Sequence, residues 1–398
     1  MSLRYSSAFI LATSLTLGLA CSASSADPTL VGRPDPNQTG GGSGPVLGSG
    51  GSGNSLVIGP GDSGGKKGAD PNDKRDIPMR QQECDAAGKC TCLKLAMLGT
   101  LTSAAQDPDT TAFTTWLADK SDGSAVATNI PTKPATVDAA FLANYDILLV
   151  ANVNGWTFSA DEKAAVQKWV EAGGGVITLT GFTSTATEAA ATSQLISFAG
   201  LNYTGTTEAQ WAAPKSGEQV PVYYKGGTVN LKDCMNWNGG VATTAAQPFI
   251  TTPIKFTPQT ETREKLTVNL DYTGAFIGWP ITVTTTANTT STVIATDPVT
   301  RGNMAVAAEV NEKGRIFAFG DEWVTFSNLW EQKGMPSNPQ ADMYNKCWVA
   351  PSGTAAAFFH SVQTLYQTKQ FWYNAINWVA PPNACFVLDD PDVITVVK

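Results

Sequence analysis

The run Ile147-Leu148-Leu149-Val150-Ala151 is apolar at every position. A strand without polar alternation must be covered on both faces, which places it inside a parallel sheet wrapped by helices. Its surroundings agree. Leu95–Leu98 reads as a short buried strand and Thr110–Lys120 as a helix, with Asp109 as its N-cap. Ala125–Ile130 reads as a second strand, and Val137–Asn144 as a short helix leading into the apolar run. Ser159 with Glu162 makes a capping box, and Ala164, Ala165, Lys168, Trp169 and Ala172 follow at helical spacing until Gly173-Gly174-Gly175 stops the helix. Val176–Thr180 is the next strand and Ala186–Phe198 the next helix. Strands alternating with helices of these lengths predict an α/β fold, a flavodoxin-like doubly wound parallel sheet.

The alternation breaks over about residues 201–310, which are rich in Thr, Val, Tyr and Ile. Period-two stretches at Lys265–Leu270, Ile281–Thr286 and Thr290–Thr296 predict a β-rich insertion, either decorating the sheet or forming a small lobe. Ala305–Val310 and Arg315–Phe319 read as strands that return to the main sheet, and a long helix is expected over Val362–Val379.

Several segments together resemble a known family. Tyr145–Val150 leads to a capped helix ending Trp169–Gly175 and then to Val176–Leu179; much later come Gly314–Trp323 and Phe371–Trp378. The pattern resembles the class I glutamine amidotransferase-like fold, especially its ThuA-like branch, over about residues 93–200 and 305–380. The resemblance implies a nucleophilic Cys on a tight turn after a strand, with a His and a Glu after a later strand. The corresponding turn here, Thr180–Ser184, has no Cys. Glu322 sits where the family has its Glu, without an adjacent His; the chain's one His is His360. A thiolate or alkoxide mechanism needs a base within hydrogen-bond reach of its nucleophile, so the family's chemistry is not expected.

The chain's start carries a different signal. Arg4 precedes the mostly apolar Ala8–Leu19, a segment of signal-peptide length and shorter than the roughly 20 apolar residues of a spanning helix. It ends Gly18-Leu19-Ala20-Cys21, which resembles a lipobox, though Gly18 stands where Leu is preferred. Residues 1–20 are therefore read as a lipoprotein signal peptide and Cys21 as the lipidated residue, with ordinary secretion as the alternative. Ser22 and Ala23 lack the Asp of an inner-membrane retention signal, which points to the outer membrane. Residues 21–83 read as a disordered tether, Gly/Ser-rich from Gly40 to Gly65 and too poor in apolar surface to offset ordering entropy. A coil of about 60 such residues spans on the order of 40 Å. Residues 84–398 are then the folded domain.

The chain has seven cysteines. With Cys21 lipidated, six remain for three disulfides: Cys84, Cys90, Cys92, Cys234, Cys347 and Cys385. Cys234 and Cys347, both in loop-like sequence, are expected to pair, with Cys385 tied to the Cys84/Cys90/Cys92 cluster. A zinc site is disfavoured, because Cys90-Thr91-Cys92 lacks the usual gap and no His lies near.

A net charge of −8 without a basic run excludes nucleic acid as a partner. Gly173–Gly175 ends a helix rather than opening one, so no phosphate loop is read and no cofactor is expected. Asp107 and Asp109 follow the first strand and offer oxygen ligands to a hard cation; Asp389, Asp390 and Asp392 do the same for Ca²⁺. Turns and capping account for both groups more simply. Asp321 and Glu322, after a buried strand, are the candidate acid/base pair, although adjacent residues of an extended chain point opposite ways. Of eleven Trp, Trp116, Trp169, Trp372 and Trp378 fall at helical apolar positions. Trp156, Trp211, Trp237 and Trp348 sit in polar, loop-like sequence, as loop anchors or as contacts for a glycan or protein. Three functions are in view: a non-enzymatic envelope lipoprotein that binds an envelope protein or glycan; an extracellular hydrolase of carbohydrate or cell-wall material using Glu322 and Asp321; and a structural envelope component.

Overall fold

In the computed structural model the described residues are 83–101, 110–183, 185–204, 220–224, 260–270, 272–275, 278–296, 302–326, 330, 344–349, 357–365, 367–382 and 388–389. All fall within one of the chain's two compact units, Gly64–Lys398. The leader, Cys21, the tether as far as residue 82, Asp107, Asp109, Trp211, Cys234, Trp237, Cys385, Asp390 and Asp392 lie outside the described residues, whereas Glu83, the tether's expected last residue, lies on a strand.

The described chain begins with a small hairpin, β1 (Glu83–Cys84) and β2 (Cys90–Thr91), closed by a Cys84–Cys90 disulfide. Asp85 caps its turn by accepting from the Ala87 and Lys89 N–H groups, at 2.9 Å each. Cys92 is also disulfide-bonded. The cluster therefore pairs within itself as well as outward, because the turn brings Cys84 opposite Cys90.

The wound core follows: β3 (Leu93–Gly99), α1 (Ala112–Lys120), β4 (Ala125–Ile130), α2 (Ala139–Leu142), β5 (Ile147–Ala151), α3 (Ala160–Glu171), β6 (Gly175–Leu179) and α4 (Ala186–Ser193). Next come β7 (Leu201–Tyr203), β8 (Val220–Tyr223), α5 (Glu261–Thr267), β9 (Tyr272–Ala275), β10 (Ile281–Val283), β11 (Thr289–Thr296), β12 (Asn303–Val310) and β13 (Gly314–Phe319). The hairpin β14 (Tyr344–Val349) and β15 (Ala357–Leu365) and the helix α6 (Thr368–Val379) complete the order. Among the described residues, nine strands form one sheet in the order β4-β3-β5-β6-β13-β12-β11-β8-β9.

The first five of these strands are parallel. Numbered by their appearance in the chain they run 2-1-3-4-5, the flavodoxin-like order. From β12 onward the pairing is antiparallel, so the β-rich insertion extends the main sheet. β7 and β10 pair separately.

Alternate residues of the strands feed two cores. Leu95, Met97, Ile147, Leu149, Ile177, Leu179, Phe317 and Phe319 meet α1 and α6 on one face. Ala96, Leu98, Leu148, Val150, Val176, Ile316 and Ala318 meet α2, α3 and α4 on the other. Every residue of β5 is buried, and each large side chain there contributes about 1.5–3 kcal/mol relative to exposure.

Five local readings are corrected. Lys265–Leu270 is no strand: Thr260 caps the Arg263 N–H at 3.1 Å and starts α5, which turns Arg263 and Leu266 inward. The last helix begins at Thr368, because the residues before it pair in the β14–β15 hairpin. His360 therefore lies on a strand, as do Cys347 and Trp348, which are not in loops. The N-cap of α1 is Thr111 rather than Asp109, since the helix starts only at Ala112. The helix after β6 stops at Ser193, and a separate 3-10 turn covers Ser197–Ala199 before Gly200 at φ 75°.

Candidate functional site

Parallel strands present their carboxyl ends and the loops after them on one side of the sheet, where open α/β folds bind ligands. In this chain three buried carboxyls, Glu188, Asp321 and Glu322, lie after β6 and β13. β6 runs through Thr180 into a turn, and Gly181 adopts φ 106°, a conformation that favours glycine. α4 begins after Thr185, which puts Glu188 at its third position. A Glu there ordinarily reaches back to the N-cap N–H. This one reaches further. Its Oε1 accepts from the N–H groups of Gly181 (2.9 Å) and Phe182 (2.7 Å). Its Oε2 accepts from the Thr183 N–H (3.0 Å), the Thr183 hydroxyl (3.3 Å) and the Trp279 indole N–H (3.2 Å).

Trp279 comes from the insertion and lies across the end of β13. Its main-chain N–H donates to the Gly320 carbonyl at 2.8 Å. A Cβ on Gly278 would stand 2.2 Å from that same oxygen, so only glycine permits the approach. Beneath it, the Tyr203 hydroxyl lies 2.7 Å from Thr178 Oγ1 and 3.1 Å from the carbonyls of Thr178 and Phe319, holding the ends of β6 and β13 together. On the far side the Thr325 hydroxyl donates to the Leu101 carbonyl at 2.6 Å, joining the loop after β13 to the loop after β3. Asn152, after β5, donates to the Thr100 hydroxyl at 2.8 Å at the switch point of the sheet.

Asp321 and Glu322 sit in this setting. They are 0% and 3% exposed. Burial, then the charges of Asp321 and Glu188, push the Glu322 carboxyl well above the ordinary carboxylate range, and its Oε2 has no hydrogen-bond partner among the described residues. Burial also pushes Glu188 up, against the pull of its N–H donors. Burial, and secondarily Asp321, raises the Tyr224 phenol. Asp321 and Glu322, although adjacent, are thus coupled in one buried setting with Glu188. A neutral buried carboxyl is an acid in kind, but these groups are covered by the chain itself. Among the described residues no group of three or more His, Cys, Asp or Glu is placed to hold a metal ion.

Of the other predicted binding residues within the described part of the chain, Trp156 lies apart from this group. Trp156 is half-buried, its ring 6.2 Å from that of Phe158. Its carbonyl accepts from the Gln194 side chain at 3.3 Å, which makes it an anchor of the loop before α3. Trp348 lies on β14, away from the loop-like setting its sequence suggested. Glu188 and Trp279 are the residues that sequence reasoning missed. Thr185 followed by Glu188 is a capping-box spacing, and Gly278-Trp279-Pro280 reads as a turn, yet neither pattern says that the two side chains meet.

No family model matches the sequence, and no curated protein matches it. Similar solved structures include a cytoplasmic protein from Salmonella typhimurium, 10% identical, with a TM-score of 0.35 over 73% of this chain and 99% of that one. They also include two ThuA-like proteins, each 12% identical. The one from Bacteroides uniformis has a TM-score of 0.34 over 66% of this chain and 99% of that one. The one from Parabacteroides merdae has a TM-score of 0.32 over 70% and 98%. ThuA-like proteins thus stand among the structural neighbours, while the fold assignment rests on this chain's own strand order.

Proposed function

We propose that this chain is an exported lipoprotein, anchored at the outer membrane through Cys21, whose degenerate ThuA-like, amidotransferase-like domain binds an envelope protein or glycan and catalyses nothing. The Arg4-to-Cys21 leader and the long Gly/Ser-rich segment support the address. One observation carries the non-catalytic part. The main-chain N–H groups of the turn after β6, the place where the resembled enzymes keep their nucleophile, are taken up by Glu188. Donors already spent on an internal carboxylate are not free to stabilise a developing oxyanion.

Two measurements test this. The intact mass of thiol-alkylated protein from its native membrane is expected to match a chain starting at lipidated Cys21; a mass matching an unlipidated start removes the anchor. Wild-type protein is expected to turn over no glycan or cell-wall substrate. A second reading, hydrolysis with Glu322 as acid, draws on the proton that its burial beside Asp321 holds in place. Turnover that Glu322→Gln abolishes would establish that reading and overturn the binder.

A further inference from the structure

The donors around Glu188 come from one backbone turn and from a distant segment of the chain. Three are consecutive main-chain N–H groups of one turn, held by the left-handed Gly181. Successive N–H groups that converge in this way make an anion-binding concavity. The fourth is the Thr183 hydroxyl, which is also 2.8 Å from the Thr185 hydroxyl. The fifth, the Trp279 indole, comes from 91 residues along the chain and is positioned by its own bond to Gly320. Both carboxylate oxygens are used, Oε1 by two donors and Oε2 by three. Shortening the side chain would leave every donor attached to its own support, with the acceptor gone.

We infer that the Gly181–Thr183 turn, together with Trp279, is a carboxylate-binding site that the intact protein fills with its own Glu188, and that a small free carboxylate takes the site when that side chain is shortened. Glu188→Ala removes one methylene and the carboxylate, which are the heavy atoms of acetate. Acetate is therefore the probe. No bond is made or broken, and the anion carries the charge that the deleted side chain carried. The inference concerns what the turn binds and stands whether or not the domain proves to be a binder.

The test compares thermal unfolding of wild type and Glu188→Ala at neutral pH in sodium acetate, sodium chloride and acetamide. The variant is expected to unfold about 5 °C below wild type in chloride and to regain about 3 °C at roughly tenfold the acetate dissociation constant. Wild type is expected to be indifferent to the exchange, and acetamide, which lacks the charge, to restore nothing. In ¹H–¹⁵N spectra acetate should shift the Trp279 indole and the Gly181, Phe182 and Thr183 amides of the variant alone. An acetate effect equal in both proteins, or none in the variant, overturns the inference. Should Glu188→Ala not fold in chloride, its refolding yield in acetate gives the same answer: recovery no better than in chloride overturns it. Turnover assays bear on the functional reading alone and acetate on the turn alone, so the two can fail separately.

Discussion

Glu322 is a carboxyl 3% exposed, with one oxygen unpartnered among the described residues and two further carboxyls close enough to raise it. The sign of its effect on stability follows. Its ordinary value is 4.5 and the folded value lies well above. Between the two the folded chain keeps a proton that the unfolded chain has lost. Its contribution is complete below pH 4.5 and disappears as pH rises through the folded value, at up to about 1.4 kcal/mol per pH unit. Glu322→Gln should flatten that fall between pH 5 and pH 8 when urea midpoints are compared. An unchanged slope would show that the proton resides on another group. Glu162 acts the other way. Burial would raise it, but Lys133 at 2.6 Å and the Ser159 and Val137 N–H groups prevail and lower it. Its contribution is present above 4.5 and lost as pH falls through its folded value.

The capping box of α3 is the best-formed helix start of the wound core. Ser159 accepts from the Glu162 N–H at 3.1 Å, and Glu162 accepts from the Ser159 N–H at 2.7 Å. Ser159→Ala should cost about 1 kcal/mol in urea unfolding. Glu162→Ala should cost more, because the Val137 N–H and Lys133 lose their acceptor as well. The segment 278–280 is sensitive to one added carbon. Gly278→Ala would drive a Cβ against the Gly320 carbonyl, and a loss of about 2 kcal/mol is expected. Trp279 fluorescence in the variant should shift to the red as the indole leaves Glu188. An unshifted spectrum would mean that the segment moves without releasing the ring. α5 shows where local pattern misleads. Thr267 and Val268 after Lys265 and Leu266 imitate strand alternation, while the decisive signal, Thr260 capping Arg263, lies before the stretch.

Across the whole sheet, burial and pairing are deepest at its centre. β5 and β6 are buried at every position and paired on both sides with parallel neighbours, whereas β4 is an edge strand with Val126 exposed. Native-state hydrogen exchange should therefore be slowest over Ile147–Ala151 and Gly175–Leu179 and markedly faster over Ala125–Ile130. Equal protection in β4 would indicate that another chain segment covers its free edge.

The wound half of the fold was legible because it is written locally. Continuous apolar runs, a capping box and glycine stops each occupy a few neighbouring residues, and the parallel sheet is the arrangement that buries runs of that kind on both faces. The pattern from which export is proposed is local in the same sense: a basic residue, an apolar stretch and Cys21 in order. What joined the insertion to the main sheet was the β12–β13 hairpin together with the distant pairing of Thr296 with Tyr223, and the second of these no short window contains. The site belongs to that second kind. Asp321 and Glu322 could be singled out by following a buried strand. Glu188 and Trp279 could not, because their meeting requires β6 beside β13 and the insertion folded back over Gly320. Sequence by itself determined which segments must be buried, since burial follows from side-chain chemistry; tertiary structure alone decided which buried charges face one another, since proximity follows from topology.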